Sequence, residues 1–533
     1  MRAAGRRAFR VLVTDEISPE GMQVLAKEPS LRIRTRLKMT REELLREVRE
    51  SEILVIRTET RVDAQVIDAA KKLVLVARAG VGLDNVDVPA ATRRGIVVLN
   101  TPDSNTRSAA ELTFAHLLAA SRKLPEADAS VRARRWERGR FMGREVAGKT
   151  LGVVGLGRIG STVARFAQAF GMNVVAYDPY LPKGRAESLG VAMTDLPTLL
   201  RQCDYLTLHV PLTAETKGMI GEKELRRMKR GAYVINCARG GVAEERALVR
   251  ALAAGKIAGA GLDVYSHEPP GDLPILTAPR TIFTPHVGAA TVEAQARVGT
   301  DLARQILEYV KSGAVATAAN LPAVDPAHRD RLHPTRLLAE RIGRLVGLLL
   351  NAPAEEITLR YSGDASVAPQ AVTVWSVRGF LAPALGESVN YVNAMAIAAE
   401  RGLKVTEMRS ADDPEVRSRI EFEARGRSES LAAVGMVAPG RLLRLVSLDG
   451  MALDAELDGH LVVVRNHDRP GVIGAIGTAL GKSGVNIAEF HLGRNKPGGR
   501  AISLIAVDGE PAPAVLARLR SLRHVVSVQH VEL

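Results

Sequence analysis

Residues 150–178, TLGVVGLGRIGSTVARFAQAFGMNVVAYD, decide the fold. An apolar run, Leu151–Val154, leads into Gly155, Gly157 and Gly160, spaced G-x-G-x-x-G. An amphipathic stretch follows, and a second apolar run ends at Asp178. The order is strand, glycine turn, helix, strand. The first glycine permits the tight turn, the second lets the backbone approach a pyrophosphate, and the third lets helix and strand pack closely. Phosphate charge is favoured at the helix N-terminus, where Arg158 and Ile159 sit on the first turn. Asp178 is placed to accept hydrogen bonds from ribose hydroxyls and would repel a 2′-phosphate, so NAD is expected rather than NADP. Lys183 and Arg185 stand close downstream and weigh the other way.

The same alternation continues on both sides. Downstream come YLTLHVP (205–211), AYVINCARG (232–240), IAGAGLDVY (257–265) and TIFTPHVG (281–288); upstream stand FRVLVTD (9–15), ILVIR (53–57), LVLVARAG (73–80) and GIVVLN (95–100). Short apolar runs separated by helical periodicity predict parallel sheets with crossover helices. The helical stretch 291–311 has no strand of its own and is expected to return to the first unit. The fold class is therefore α/β, with two Rossmann-like doubly wound parallel-sheet domains: 1–101 with 292–320 for substrate, and 102–291 for NAD. Prolines in Asn320-Leu-Pro-Ala-Val-Asp-Pro mark a linker. A mixed α/β intervening domain (321–455) follows, and then 456–533, whose order βαββαβ predicts a ferredoxin-like unit.

Composition excludes several classes. Hydrophobic residues make up 46% and charged residues 25%, as in a globular protein, while aromatics are only 4%. The net charge of +14 is spread among interleaved acids without an aromatic-studded basic stripe, which argues against nucleic acid and for anionic small molecules. Cys203 and Cys237 match no metal or redox spacing, so no metal is expected and a reducing cytoplasm is. No signal peptide is read in the basic start, and no apolar run is long enough for a membrane span.

Three loops at strand ends carry unusual residues: CARGG (237–241), DVYSHEPP (263–270) and TPHVG (284–288). In an open parallel sheet, ligands bind beyond the carboxyl ends of the strands. Dehydrogenation of a 2-hydroxy acid needs a base for the hydroxyl proton and a cation for the carboxylate. His286 can be the base, Glu268 can orient it and stabilise the imidazolium, and the planar fork of Arg239 matches a carboxylate. LGVVGLGRIG (151–160), INCARGGVAEE (235–245), GLDVYSHEPP (261–270) and FTPHVG (283–288) resemble the signature segments of the D-isomer-specific 2-hydroxyacid dehydrogenase family. The resemblance implies Arg239 for substrate binding, Glu268 as the histidine's partner and His286 as acid/base. It also implies NAD contacts from the glycine loop, Val210, Pro211, Cys237, Ala238, Arg239, Asp263, His286 and Gly288. It gives no role to His267. Val81 and Val210 stand where some relatives carry Thr, which leaves only backbone contacts there.

Arg57, Arg78, Gly80 and Asn100 lie at apparent strand ends of the first unit, and Arg138 precedes the glycine loop. Extra arginines suit a substrate with a phosphate as well as a carboxylate. With YVNAMAIAAERG (391–402) in the middle portion, the chain resembles the long, multi-domain phosphoglycerate branch of the family. That implies NAD-dependent oxidation of 3-phospho-D-glycerate to 3-phosphohydroxypyruvate, the first step of L-serine biosynthesis, by a homo-oligomer, tetramer or dimer. A glyoxylate/hydroxypyruvate reductase, or another D-2-hydroxyacid dehydrogenase, would share the core but usually ends near residue 320. An NAD-sensing transcriptional corepressor would share it too, but lacks such a tail. RNHDRPG (465–471) and GVNI (484–487) resemble an ACT domain, with Asn466, Asp468 and Asn486 as candidates for an amino-acid effector such as L-serine.

Overall fold

Five short strands open the chain: β1 (Phe9–Val13), β2 (Leu31–Thr35), β3 (Ile53–Ile56), β4 (Leu75–Arg78) and β5 (Val97–Leu99). They pair in parallel, in the order β2-β1-β3-β4-β5. This is a computed structural model, describing residues 8–181, 184–313, 315, 317–410 and 417–533. The first residues of the start and Lys183 thus lie outside the described residues. Successive side chains point to opposite faces of a strand. Here Leu12, Leu54 and Val76 pack on one face and Val11, Val13, Val55 and Leu75 on the other, so the central strands read as unbroken apolar runs. β2 was invisible in the sequence for the opposite reason. Its residues LRIRT alternate arginines on an edge strand that pairs only with β1, which discourages further pairing along its open side.

The helix Val292–Ser312 covers the second face of this sheet through Val298, Leu302, Ala303 and Ile306. Thr291 caps its N-terminus, accepting from the amide of Ala294 at 3.2 Å. It lies directly against the helix Pro19–Ala26, where a Cβ on Gly21 would sit 2.6 Å from the carbonyl carbon of Gly299. Two glycines therefore set the distance between these helices.

The second sheet holds β6 (Thr150–Val154), β7 (Asn173–Tyr177), β8 (Ala192–Met193), β9 (Tyr205–Leu208), β10 (Ala232–Asn236), β11 (Ile257–Leu262) and β12 (Thr281–Phe283). All pairs are parallel, in the order β12-β11-β10-β9-β6-β7-β8. Strand order reverses between β6 and β9, and in the first sheet between β1 and β3. Such switch points open the crevices where ligands bind in doubly wound sheets.

Beyond residue 320, β13 (Ala354–Gly363), β14 (Lys404–Arg409), β15 (Ser418–Gly426), β16 (Ser430–Val437), β17 (Leu443–Leu448) and β18 (Met451–Glu456) form a mixed sheet. The helices Arg329–Leu349 and Pro369–Leu385 pack against it. The last unit has β19 (His460–His467), β20 (Ile487–Arg494), β21 (Arg500–Val507) and β22 (Val525–Glu532), antiparallel in the order β20-β21-β19-β22. The α/β reading, with two parallel sheets followed by a mixed and a ferredoxin-like unit, is what the chain forms. β19 is buried on both faces: Leu461 and Val463 join the core of the preceding unit, while Val462 and Val464 face the helices of its own.

Replacing Gly21 by Leu drives a side chain into backbone and should destabilise the first unit by about 1–3 kcal/mol, read as an earlier unfolding transition. Gly477→Ala, where a Cβ meets nothing within 4 Å on a helix, should leave that transition in place or raise it slightly.

Candidate active site

The glycine loop lies in the crevice of the second sheet. Gly155 turns at φ +89°, and a Cβ there would lie 2.6 Å from the carbonyl oxygen of His209, at the end of the neighbouring β9. Glycine is required both for the turn and for that approach. A Cβ on Gly160 would lie 2.0 Å from the carbonyl of Gly155, which keeps helix and strand in contact. Gly157, the N-cap of the helix Arg158–Ala169, meets nothing within 4 Å on its Cβ side. That open face above a helix N-terminus fits a pyrophosphate. Ile159 packs into the core below, and Arg158 forms an ion pair with Asp103. Asp178 ends β7 and accepts from the amides of Leu156 at 2.9 Å and Tyr180 at 3.0 Å, which brings its carboxylate to the glycine loop. Val210 packs against the core, and Pro211 is exposed. The Ala238 amide donates to Asn236 at 3.1 Å. Burial pushes the Cys237 thiol up to about 12, so it offers no thiolate near neutral pH. The open face at Gly157 and the Asp178 carboxylate beside the glycine loop fit NAD.

The loop after β12 carries His286 in a left-handed conformation, φ +53°. Its Nδ1 lies 2.6 Å from Oε2 of Glu268, and Oε1 of Glu268 accepts from the Tyr265 amide at 3.1 Å. Burial works to raise the Glu268 carboxyl, but the hydrogen bond and charge of His286, with the Tyr265 amide and Arg239, hold it below the usual carboxylate range. The His286 loop hangs from Asp263, which is buried. Asp263 accepts from the Thr284 hydroxyl at 2.5 Å, the Val287 amide at 2.8 Å and the Gly288 amide at 2.9 Å. Behind it, Nε2 of the buried His116 lies 2.9 Å from Thr284 Oγ1. A carboxylate only accepts, so the hydroxyl proton points to Asp263 and His116 Nε2 donates to the hydroxyl. Burial lowers the pKa of His116, in keeping with a neutral imidazole.

Arg239 follows β10. Its Nη1 donates to the carbonyl of Ala238 at 2.7 Å, and its Nε lies 3.0 Å from Oδ2 of Asp84. Arg78 ends β4 and folds back over Gly80, whose Cβ would collide with the guanidinium. Burial, with the charges of Arg239 and Arg57, lowers Arg78 to about 10 against the pull of Asp84 and Asp15. Its buried Nε has no hydrogen-bond partner, which suits a ligand oxygen. The Arg57 amide donates to Asp15 at 2.6 Å, and Asn100 donates to the carbonyl of Val81 at 2.7 Å. Arg78 over Gly80 and Arg239 over Gly82 are thus neighbouring cations, with Arg57 near enough to repel Arg78; Arg138 lies on an exposed turn, Arg138–Phe141, and joins none of these contacts. Exposed His267 is also outside this set. Sequence reasoning missed Asp15, Asp84, His116 and Thr284. Asp15, Asp84 and His116 belong to no motif with a chemical signature and meet their partners from more than forty positions away, while Thr284 lies in the quoted FTPHVG segment but shows its role only through its bonds to Asp263 and His116.

In the last unit Asp468 is held by Arg494 and the Gly498 amide, each at 3.0 Å, so it does not cap the following helix. Asn486 donates to Asp508 at 2.8 Å. Asn466 is buried with Oδ1 unpartnered. No group of three or more metal-ligating side chains, and no helix long and apolar enough to cross a membrane, occurs among the described residues.

Comparison with known proteins gives a consistent pattern. Residues 114–288 match the NAD binding domain of the D-isomer specific 2-hydroxyacid dehydrogenases, 331–449 the D-3-phosphoglycerate dehydrogenase intervening domain, and 460–524 the ACT domain. The chain is 42% identical over 531 residues to the D-3-phosphoglycerate dehydrogenase of Archaeoglobus fulgidus, covering 98% of this chain and 100% of that one. Among solved structures it resembles a glyoxylate reductase from Paecilomyes thermophila (31% identity, TM-score 0.55), covering 58% of this chain and 98% of that one. It also resembles a D-lactate dehydrogenase from Aquifex aeolicus complexed with NAD and lactic acid (29% identity, TM-score 0.51), covering 57% of this chain and 95% of that one.

Glu268→Gln keeps the shape of the side chain but removes the charge facing His286. Oxidation of a 2-hydroxy acid should slow by about 10²-fold with NAD affinity unchanged. Full-speed turnover in the variant would show that the pair has no part in proton transfer.

Proposed function

The chain belongs to the D-3-phosphoglycerate dehydrogenase family, within the D-isomer-specific 2-hydroxyacid dehydrogenases, and we propose that its site oxidises 3-phospho-D-glycerate to 3-phosphohydroxypyruvate with NAD. The observation that carries the substrate is that the guanidinium groups of Arg78 and Arg239 lie over Gly80 and Gly82 of one loop, with Arg57 near enough to repel Arg78 and Arg239 near enough to act on Glu268, the partner of His286. In this reading Arg239 holds the carboxylate and polarises the C2 oxygen, while Arg57 and Arg78 take the phosphate. His286 removes the C2 hydroxyl proton through Nε2, because Nδ1 faces Glu268, and Glu268 stabilises the resulting imidazolium. Bound NAD, held by the glycine loop and Asp178, supplies the acceptor for the C2 hydride. The balance is one hydride to NAD and one proton to His286, leaving the 2-keto acid. The reaction belongs at the start of L-serine biosynthesis. The glyoxylate reductase likeness stops at 58% of this chain, whereas the phosphoglycerate dehydrogenase relative covers 98% of it.

Two finer readings accompany this one. Within the stretch 124–142 of the second unit Leu124, Val131, Trp136 and Met142 are all exposed, the last two at 79%. Large apolar side chains left in water are commonly covered by another copy, which supports the reading of a homo-oligomer, dimer or tetramer. The ACT unit supports feedback by an amino acid such as L-serine, with the free Oδ1 of Asn466 as an acceptor for the ammonium. Asp468 and Asn486 would take part only after leaving their present partners.

A substrate panel with NAD tests the main reading: kcat/KM for 3-phospho-D-glycerate should exceed that for D-glycerate and D-lactate, and a preference for either unphosphorylated acid rejects it. Arg57→Ala and Arg78→Ala should each lower phosphoglycerate kcat/KM by about 10–10²-fold, the worth of a charged hydrogen bond, and leave D-glycerate much less affected. Equal losses on both substrates would remove these arginines from phosphate binding. L-serine should inhibit the enzyme and bind by calorimetry, and Asn466→Ala should abolish both effects. Inhibition that survives in Asn466→Ala would place the effector elsewhere.

A further inference from the structure

We infer that Asp84 is the positioning residue for Arg239, and that the missing side chain of Gly82 makes room for the arrangement; the inference rests on reading Arg239 as the ligand of the substrate carboxylate. The two partners come from opposite walls of the cleft. Asp84 lies in the loop after β4 of the first sheet, and Arg239 in the loop after β10 of the second.

The guanidinium offers its donors in a rigid plane, so fixing two nitrogens fixes the third. Nη1 is taken by the Ala238 carbonyl at 2.7 Å and Nε faces Asp84 Oδ2 at 3.0 Å. Nη2 is left as the edge for a substrate oxygen. It lies over Gly82, where a Cβ would fall 2.1 Å from Nη2 and 2.8 Å from Asp84 Oδ2. Any larger residue there displaces the guanidinium, the carboxylate or both.

Asp84 itself stands on a braced turn. Asn85 donates to the carbonyls of Arg57 at 3.0 Å and Thr60 at 2.7 Å, and the Val86 amide closes the turn by donating to the carbonyl of Leu83 at 2.9 Å. The Asp84 side chain is 67% exposed, so the pair contributes little to stability. Its effect is geometric, and it offsets the repulsion between Arg78 and Arg239.

The test compares the full-length wild type with Asp84→Ala, Asp84→Asn and Gly82→Ala, measuring phosphoglycerate kinetics, NADH affinity by fluorescence and the thermal midpoint. Asp84→Ala and Gly82→Ala should lower kcat/KM by about 10²-fold, as expected for a reacting group misplaced by about 1 Å, largely through KM. NADH affinity and the thermal midpoint should not move. Asp84→Asn, which retains an acceptor, should fall between. In the Arg239→Ala background Asp84→Ala should cost nothing further, since it acts only through the arginine. A lower KM in Asp84→Ala would overturn the inference, because Asp84 would then be a competitor for the substrate's place on Arg239. Unchanged kinetics, or parallel losses in NADH affinity and thermal midpoint, would overturn it too. A wild type that does not oxidise phosphoglycerate would instead refute the proposed function on which the inference stands.

Discussion

The buried carboxylate of Asp263 is the contact on which the site depends. It takes the Thr284 hydroxyl and the amides of Val287 and Gly288, and so holds the short loop that carries His286. A non-glycine residue at φ +53° costs about 1–3 kcal/mol and persists only where surroundings over-determine it. Those surroundings are the Asp263 bonds at one end and, at the other, the Thr284 carbonyl, which accepts from Tyr265 Oη at 2.9 Å. The loop in turn presents Nδ1 to Glu268. His116 adds a third layer on the long helix Thr106–Arg122.

The units beyond residue 320 are physically continuous with this centre. Asn390 donates to the carbonyl of Gly95 at 2.8 Å, and Val392 is buried in the core of the first unit. At its far side the intervening unit shares a core with β19, β21 and β22 of the ACT unit. Among the described residues, packing is thus continuous from the ACT unit through the intervening unit to the first unit, whose sheet carries Arg57 and Arg78.

Much of this was legible in the sequence. The glycine loop announced itself because a strand, three glycines, a helix and a terminal acid must follow one another closely to hold a dinucleotide. Arg239, Glu268 and His286 stood out as candidates because each follows an apolar strand whose end is easy to see, and the fold brings Glu268 and His286 together with Arg239 near them. The remainder was hidden for physical reasons. β2 has no apolar run, since an exposed edge needs arginines. β16, SLAAVGMV, is rich in Ala and Gly and becomes a strand only through register with β15 and β17. Asp84 and His116 gain meaning only from Arg239 and Thr284, which lie more than a hundred positions away along the sequence and meet them only in the folded chain. Arg138, a cation that precedes the glycine loop in sequence, stands on an exposed turn, Arg138–Phe141.

The most direct test of the account follows the hydrogen on C2. With 3-phospho-D-glycerate deuterated at C2, single turnover by the wild type should deliver the deuterium to the nicotinamide ring, giving NADH one mass unit heavier, and His286→Asn should slow that transfer without redirecting it. Deuterium released to water, or full-rate transfer in the histidine variant, would contradict hydride transfer assisted by His286.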